Sequence, residues 1–212
     1  AGRIGADLGI VLAALDVDQA IVVGHSMGGA AALSLTTSGA PGADRVGDMV
    51  LVATLAGSKR PDRNLLLRVQ LHGLFDRLKR DDHHAPAFTR GVFGSTPSRQ
   101  LVDDLLDMTR RCPTQTATAA ARGMLSYDIE AQLSSVDIPT TVVCGTRDVV
   151  TTHRENAAIA AAMPEATFRS VPGAGHMVIW EEPGTIADAI RGHLTEHRDR
   201  PSGVADPGIH AR

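Results

Sequence analysis

Cysteine is scarce in this chain of 212 residues: Cys112 and Cys144 are its only two. With no Cys-x-x-Cys pair and no Cys/His cluster, neither a disulfide framework nor a metal site is expected. Long apolar runs are missing as well. The longest, such as Ile10–Leu15 and Met49–Ala56, fall far short of the roughly 20 residues that a bilayer-crossing helix requires. Neither sign of charge dominates, since 21 Lys and Arg face 24 Asp and Glu for a net charge of −3. Nucleic acid and anionic membrane surfaces are therefore not expected partners. Lysine occurs only at Lys59 and Lys79, a skew toward arginine that carries no functional information. The first residues lack the basic-then-apolar pattern of a signal peptide, so a cytoplasmic location is expected. What remains is 43% hydrophobic and 21% charged, the composition of a globular chain long enough for one domain with a sizeable core, with room for an insertion.

The most informative stretch is Gly24-His25-Ser26-Met27-Gly28-Gly29. A β-type run, Ala20–Val23, precedes it and an Ala-rich helical run, Ala30–Leu35, follows. Gly-x-Ser-x-Gly between a strand and a helix predicts a sharp turn that exposes the Ser26 side chain at a strained φ/ψ. Gly24 and Gly28 are expected where a Cβ would collide with the neighbouring strand or helix. The Met27 amide is expected at a helix N-terminus, where it can stabilise a developing oxyanion.

Elsewhere the chain alternates strand and helix with one long interruption. Ile4, Leu8, Val11, Leu12 and Leu15 recur at helical spacing and predict a helix over about 3–15 with these residues buried. A strand near 20–24, a helix over about 27–38 and a strand at 49–53 follow; Ser38–Gly42 stops the helix. Short strand–helix–strand connections imply a parallel sheet in a doubly wound α/β domain. From Lys59 to about Leu133 no strand is expected. Helices are predicted over Asn64–Leu78, Pro97–Arg111 (capped by Ser95 or Thr96) and Thr114–Leu125, with a polar break at Asp81–Pro86. This block, 59–134, reads as a helical cap inserted between core segments 1–58 and 135–197. A strand at Pro139–Cys144, a helix at 154–163, a strand at 167–171 and a helix at 183–197 complete the pattern. The tail 198–212 is expected to be disordered.

Two loops after the cap carry candidate chemistry. Asp148 lies just past the strand ending at Cys144, and His176 lies in Pro172-Gly173-Ala174-Gly175-His176 past the next strand. Open α/β sheets place their ligands beyond the carboxyl ends of the strands, and Ser26, Asp148 and His176 all fall on that edge. A serine hydroxyl is a poor nucleophile until a base takes its proton; an imidazole can do so, and a carboxylate holds the imidazole in the right tautomer. Ser…Asp…His is also the chain order of one hydrolase class.

Together with Gly145-Thr146-Arg147-Asp148 and Gly173-Ala174-Gly175-His176-Met177, the elbow resembles the signature loops of the α/β-hydrolases, and among them the capped bacterial lipases and esterases. The resemblance covers about residues 1–197. It implies a partial α/β-hydrolase fold, with a mostly parallel sheet of about four strands, flanking helices and a helical cap. It also implies Ser26 as nucleophile, Asp148 as acid, His176 as base and the Met27 amide as oxyanion donor. The implied activity is hydrolysis of a small carboxylic ester with an apolar acyl group, with no cofactor and no metal. Cofactor-free perhydrolysis or haloperoxidase-like chemistry, C–C bond hydrolysis and a non-catalytic scaffold are the alternatives. A serine at the elbow argues against the related families that carry aspartate or cysteine there.

One departure stands out. Members of this family have several strands before the elbow, and a loop among them supplies the second oxyanion amide; here only a helix precedes the elbow strand. The chain is therefore expected to be a fragment of a longer parent or to depend on another segment, with one edge of the elbow strand unpaired. Other candidates rank lower. Asp81-Asp82-His83-His84 reads as a solvated loop, and His193 and His197 lack the glutamate of a metalloprotease helix, since position 194 is Leu194. Asp128 and Asp137 are reserve carboxylates that precede their strand. Cys144 reads as a small core residue, and the leucines of Leu65–Leu78 as core or as an acyl pocket.

Overall fold

A computed structural model of the chain describes residues 1–57 and 85–199. The expected helix Asn64–Leu78, the Asp81–His84 cluster and the tail from residue 200 lie outside the described residues.

The sheet is built from β1 (Ala20–His25), β2 (Val46–Val52), β3 (Thr140–Gly145) and β4 (Ala166–Val171), all parallel and in that order. Every residue of β2 and β3 is buried, as continuous apolar runs covered on both faces require. Alternate residues of β2 feed two separate cores. Met49 and Leu51 pack with Leu12 of α1 (Gly2–Ala14), Leu33 and Leu35 of α2 (Met27–Ser38) and Ile159 of a helix at His153–Ala162. Val50 and Val52 pack on the other side with Val178, Ile186 and Ala189 from the last two helices. Among the described residues β1 pairs on one side only, and Val23 there is 40% exposed.

The helix predicted over 3–15 forms as α1, but its buried face differs from the predicted stripe. Ile4, Val11 and Leu15 are 44%, 49% and 68% exposed. The buried positions are Gly5, Gly9 and Leu12. A Cβ on Gly5 would stand 2.6 Å from the Ala31 carbonyl, and one on Gly9 2.1 Å from that of Pro41. Close approach of backbones, and not apolar periodicity, sets the orientation of α1.

Between the core strands come α3 (Ala85–Val92), α4 (Arg99–Arg111) and α5 (Thr114–Leu125). Helix α3 was not among the predicted elements. Helix α4 starts later than predicted: Ser98, not Ser95 or Thr96, is its N-cap, with its hydroxyl accepting from the Leu101 amide at 3.3 Å. The remaining helices are α6 (His153–Ala162), α7 (Val178–Glu181) and α8 (Pro183–Asp199). A capping box starts α6: Thr152 and Glu155 each bond the other's backbone amide. Helix α8 runs two residues past its predicted end. Among the described residues no helix is long and apolar enough to cross a membrane.

Candidate active site

Register decides which loops meet. Val52 aligns with His25 on one side and Val143 on the other, and Gly145 aligns with Val171. The strands therefore end level, and the loops carrying Ser26, Asp148 and His176 leave the same edge of the sheet.

Ser26 has φ 53° and ψ −118°, a strained conformation for a residue with a side chain. Several bonds hold it there. Its amide donates to the Val52 carbonyl at 2.9 Å, and its carbonyl accepts from the Thr54 hydroxyl at 2.7 Å and the Gly29 amide at 3.1 Å. Thr54 is itself fixed by the buried Asn156, whose Oδ1 accepts from the Thr54 amide at 2.9 Å. Gly24 is required sterically, because a Cβ would lie 2.6 Å from the Gly29 backbone. The expectation for Gly28 is corrected: a Cβ there would meet nothing within 4 Å. The second obligatory glycine is Gly29, where a Cβ would come within 2.6 Å of the Thr54 hydroxyl oxygen. Met27 opens α2, so its amide belongs to the positive end of that helix.

The Asp148 side chain is fully buried and held by donors on both of its oxygens. Its Oδ1 accepts from the amides of Val150 at 2.7 Å and Thr151 at 2.9 Å; its Oδ2 accepts from the Thr151 hydroxyl at 2.8 Å and His176 Nδ1 at 3.0 Å. Burial alone would raise the carboxyl's pKa. The bond from His176, the charge of that imidazole, and the amide and hydroxyl of Thr151 outweigh it, and the pKa lies below the ordinary aspartate value. An ionised carboxylate only accepts, so the proton between the two residues sits on Nδ1 of His176. That leaves Nε2 as an acceptor, and Ser26 Oγ stands 3.0 Å from it. The arrangement provides a continuous path for a proton from a hydroxyl to an imidazole whose charged form is stabilised from behind.

The structure thus brings Ser26, Asp148 and His176 together with the Met27 amide beside them. The carboxylate bonded to the imidazole is Asp148 and neither of the reserve carboxylates, Asp128 and Asp137, both of which are exposed. Cys144 is buried, with its thiol 3.8 Å from Asp148 Oδ2, and burial followed by the Asp148 charge pushes its pKa far up. His193 is enclosed: Nδ1 bonds Asp48 Oδ1 at 3.0 Å and Nε2 bonds the Thr141 hydroxyl at 2.9 Å. Among the described residues no group of three or more His, Cys, Asp or Glu is placed to hold a metal ion.

Two contributors were not singled out by sequence. Thr151 contacts both Asp148 and, at 3.3 Å, His176 Nδ1. Its signal was available, because an aspartate favours a turn closed by its own side chain onto the amides two and three residues on. His25 donates from Nε2 to the His176 carbonyl at 2.8 Å across 151 positions, a contact no local pattern announces.

Comparison with known proteins agrees with this architecture. Residues 3–189 match the model of the alpha/beta hydrolase family. A relative from Caulobacter segnis, provisionally named carbamate hydrolase RutD, is 26% identical over 189 residues, covering 87% of this chain and 68% of its own. An esterase structure from Exiguobacterium antarcticum superposes with a TM-score of 0.78 at 14% identity, over 90% of this chain and 72% of that one. A bromoperoxidase from Bacillus anthracis does so with 0.74 at 18% identity, over 92% and 73%. With most of its length matched by one family model and four parallel strands carrying the three loops, this chain belongs to the α/β hydrolase family.

Proposed function

We propose that the protein is a serine hydrolase that cleaves carboxylic esters through an acyl-enzyme. Ser26 is the nucleophile, His176 the base and later the acid, and Asp148 the residue that orients and charges the imidazole. The observation that carries this reading is the line Ser26 Oγ–His176 Nε2 and His176 Nδ1–Asp148 Oδ2, each at 3.0 Å. Ser26 gives its proton to Nε2 as Oγ bonds the ester carbonyl. Nε2 returns that proton to the leaving alkoxide, and water then enters by the same route to release the acid. The Met27 amide at the start of α2 stabilises the oxyanion.

The residues 59–134 serve as a cap over a core of 1–58 and 135–197. A cavity of about 560 Å³ opens beside Met27, and its lining mixes Ile4, Ala119 and Ala120 with Arg3, Gln115 and Thr116. The same three residues would also serve peroxide-dependent chemistry, a reading favoured by the likeness to a bromoperoxidase structure. They would equally serve carbamate cleavage, the activity in the provisional name of the Caulobacter relative.

Labelling with a fluorophosphonate tests the core of the proposal. Wild-type protein should label and Ser26→Ala should not; a folded wild type that stays unlabelled refutes the serine mechanism. Turnover of p-nitrophenyl esters of rising acyl length, with and without hydrogen peroxide, then separates ester from peroxide chemistry.

A further inference from the structure

Glu181 lies five residues beyond His176, on the short helix α7, and its carboxylate joins two parts of the chain that are far apart in sequence. Oε1 accepts from the amides of Gly94 at 3.0 Å and Ser95 at 2.9 Å, and from the Ser95 hydroxyl at 2.8 Å. Oε2 accepts from the Gly175 amide at 2.7 Å, immediately before His176. One side chain thus closes the turn after α3 and the loop that carries the imidazole.

The junction is tight on both sides. A Cβ on Gly94 would lie 2.3 Å from the Gly173 carbonyl, and one on Gly175 2.3 Å from the Gly94 amide nitrogen. The Met177 amide donates to the Val92 carbonyl at 3.0 Å. Arg147, next to Asp148, reaches the Gly94 carbonyl at 2.8 Å, and its own amide donates to the Ala174 carbonyl at 2.9 Å. Phe93 and Leu105 pack on Met177. Acid loop, histidine loop and the end of α3 therefore meet at a single point, where the Glu181 carboxylate bonds both the α3 turn and the histidine loop through its side chain alone.

We propose that Glu181 is a positioning residue for His176, tying the imidazole's reach toward Ser26 to the seating of helices α3 and α4. The proposal rests on the serine-hydrolase reading for its kinetic consequence, but its structural content does not. A carboxylate offers acceptors on both oxygens, whereas a carboxamide offers one. Glu181→Gln must therefore give up either the Gly175 amide or the α3 turn, and the 3.0 Å approach of Nε2 to Ser26 should slacken.

The experiment compares wild type, Glu181→Gln, Ser95→Ala and the neighbouring exposed control Glu182→Gln. The first readout is the downfield proton NMR signal of His176 Nδ1–H bonded to Asp148, which needs no turnover. The second is the rate of fluorophosphonate labelling of Ser26. Glu181→Gln should shift or broaden the His176 signal and slow labelling at least tenfold. Ser95→Ala, which removes one of four bonds, should act in the same direction by about twofold to fivefold. Glu182→Gln should match wild type. If Glu181→Gln melts with wild type and leaves the His176 signal and labelling rate unchanged, the proposal is wrong. If it fails to fold, an unchanged signal and rate in Ser95→Ala overturns it instead. A wild type that does not label, with a His176 signal that still responds to Glu181→Gln, refutes the serine mechanism and leaves the positioning role supported.

Discussion

The imidazole of His25 donates from Nε2 to the backbone carbonyl of His176 at 2.8 Å, with the two rings 5.0 Å apart. The residue before the proposed nucleophile therefore holds the backbone of the proposed base. Burial, then the nearby His176 charge, lowers the His25 pKa below its ordinary 6.5, against smaller opposing effects from the His176 carbonyl and Asp148. A histidine with a lowered folded pKa favours the native state while neutral. That contribution is fully present above about pH 6.5 and is lost as pH falls toward the folded value. His25→Ala should slow Ser26 labelling about fivefold, the worth of one hydrogen bond of about 1 kcal/mol. The wild-type melting temperature, followed by circular dichroism, should fall below about pH 6.5, and His25→Ala should flatten that fall.

Thr151 contacts both Asp148 and His176, the proposed acid and base, and its loss should be felt in both. Thr151→Val keeps the shape but removes the hydroxyl that donates to Asp148 Oδ2 at 2.8 Å. Asp148 should then titrate nearer the ordinary aspartate range. A carboxyl with a depressed folded pKa stabilises the fold above the unfolded value and loses that contribution as pH falls through the folded one. The variant should thus be less stable than wild type near neutrality, by about 2 kcal/mol for a bond to a charged group. The gap should narrow in acid. Urea titrations at neutral and acid pH measure it, and a constant gap across pH would contradict the assignment.

The two glycines of the Gly-x-Ser-x-Gly pattern should behave differently. Gly24→Ala forces a Cβ to within 2.6 Å of backbone and should cost about 3 kcal/mol or more. Gly28→Ala enters open space within α2 and should stabilise by about 0.5 kcal/mol through the unfolded chain. Denaturant midpoints decide it.

His193 links α8 to the sheet through Asp48 of β2 and Thr141 of β3, all three buried. His193→Ala removes a partner from each and leaves a cavity, and should cost about 3 kcal/mol. Labelling of Ser26, measured well below the melting temperature, should stay at the wild-type rate. A loss of labelling in folded protein would assign His193 a role in the site that this geometry does not.

Local pattern carried most of the fold. The apolar runs 49–53 and 139–144 made the buried parallel strands Val46–Val52 and Thr140–Gly145 legible, the first only from its fourth residue on, because both faces of such strands are apolar. Met27–Ser38 and Thr114–Leu125 were legible down to their ends. The orientation of α1 was not, because glycines that allow backbones to touch carry no hydropathy signal. The start of α4 was misplaced because several residues before it can cap, and only geometry selects Ser98.

The sequence by itself determined the α/β alternation, the turn at Ser26 and the candidate residues Asp148 and His176, since each depends on neighbours within a few positions. Tertiary structure decided everything that spans long separations. Only the strand register levels the three loops so that Ser26, His176 and Asp148 stand in line at 3.0 Å. Only the packing of α3 against the histidine loop gives Glu181 its two sets of partners, and only the elbow's approach to that loop gives His25 its acceptor. Hydrogen bonds between distant segments form after the chain has folded, and no run of adjacent residues encodes them.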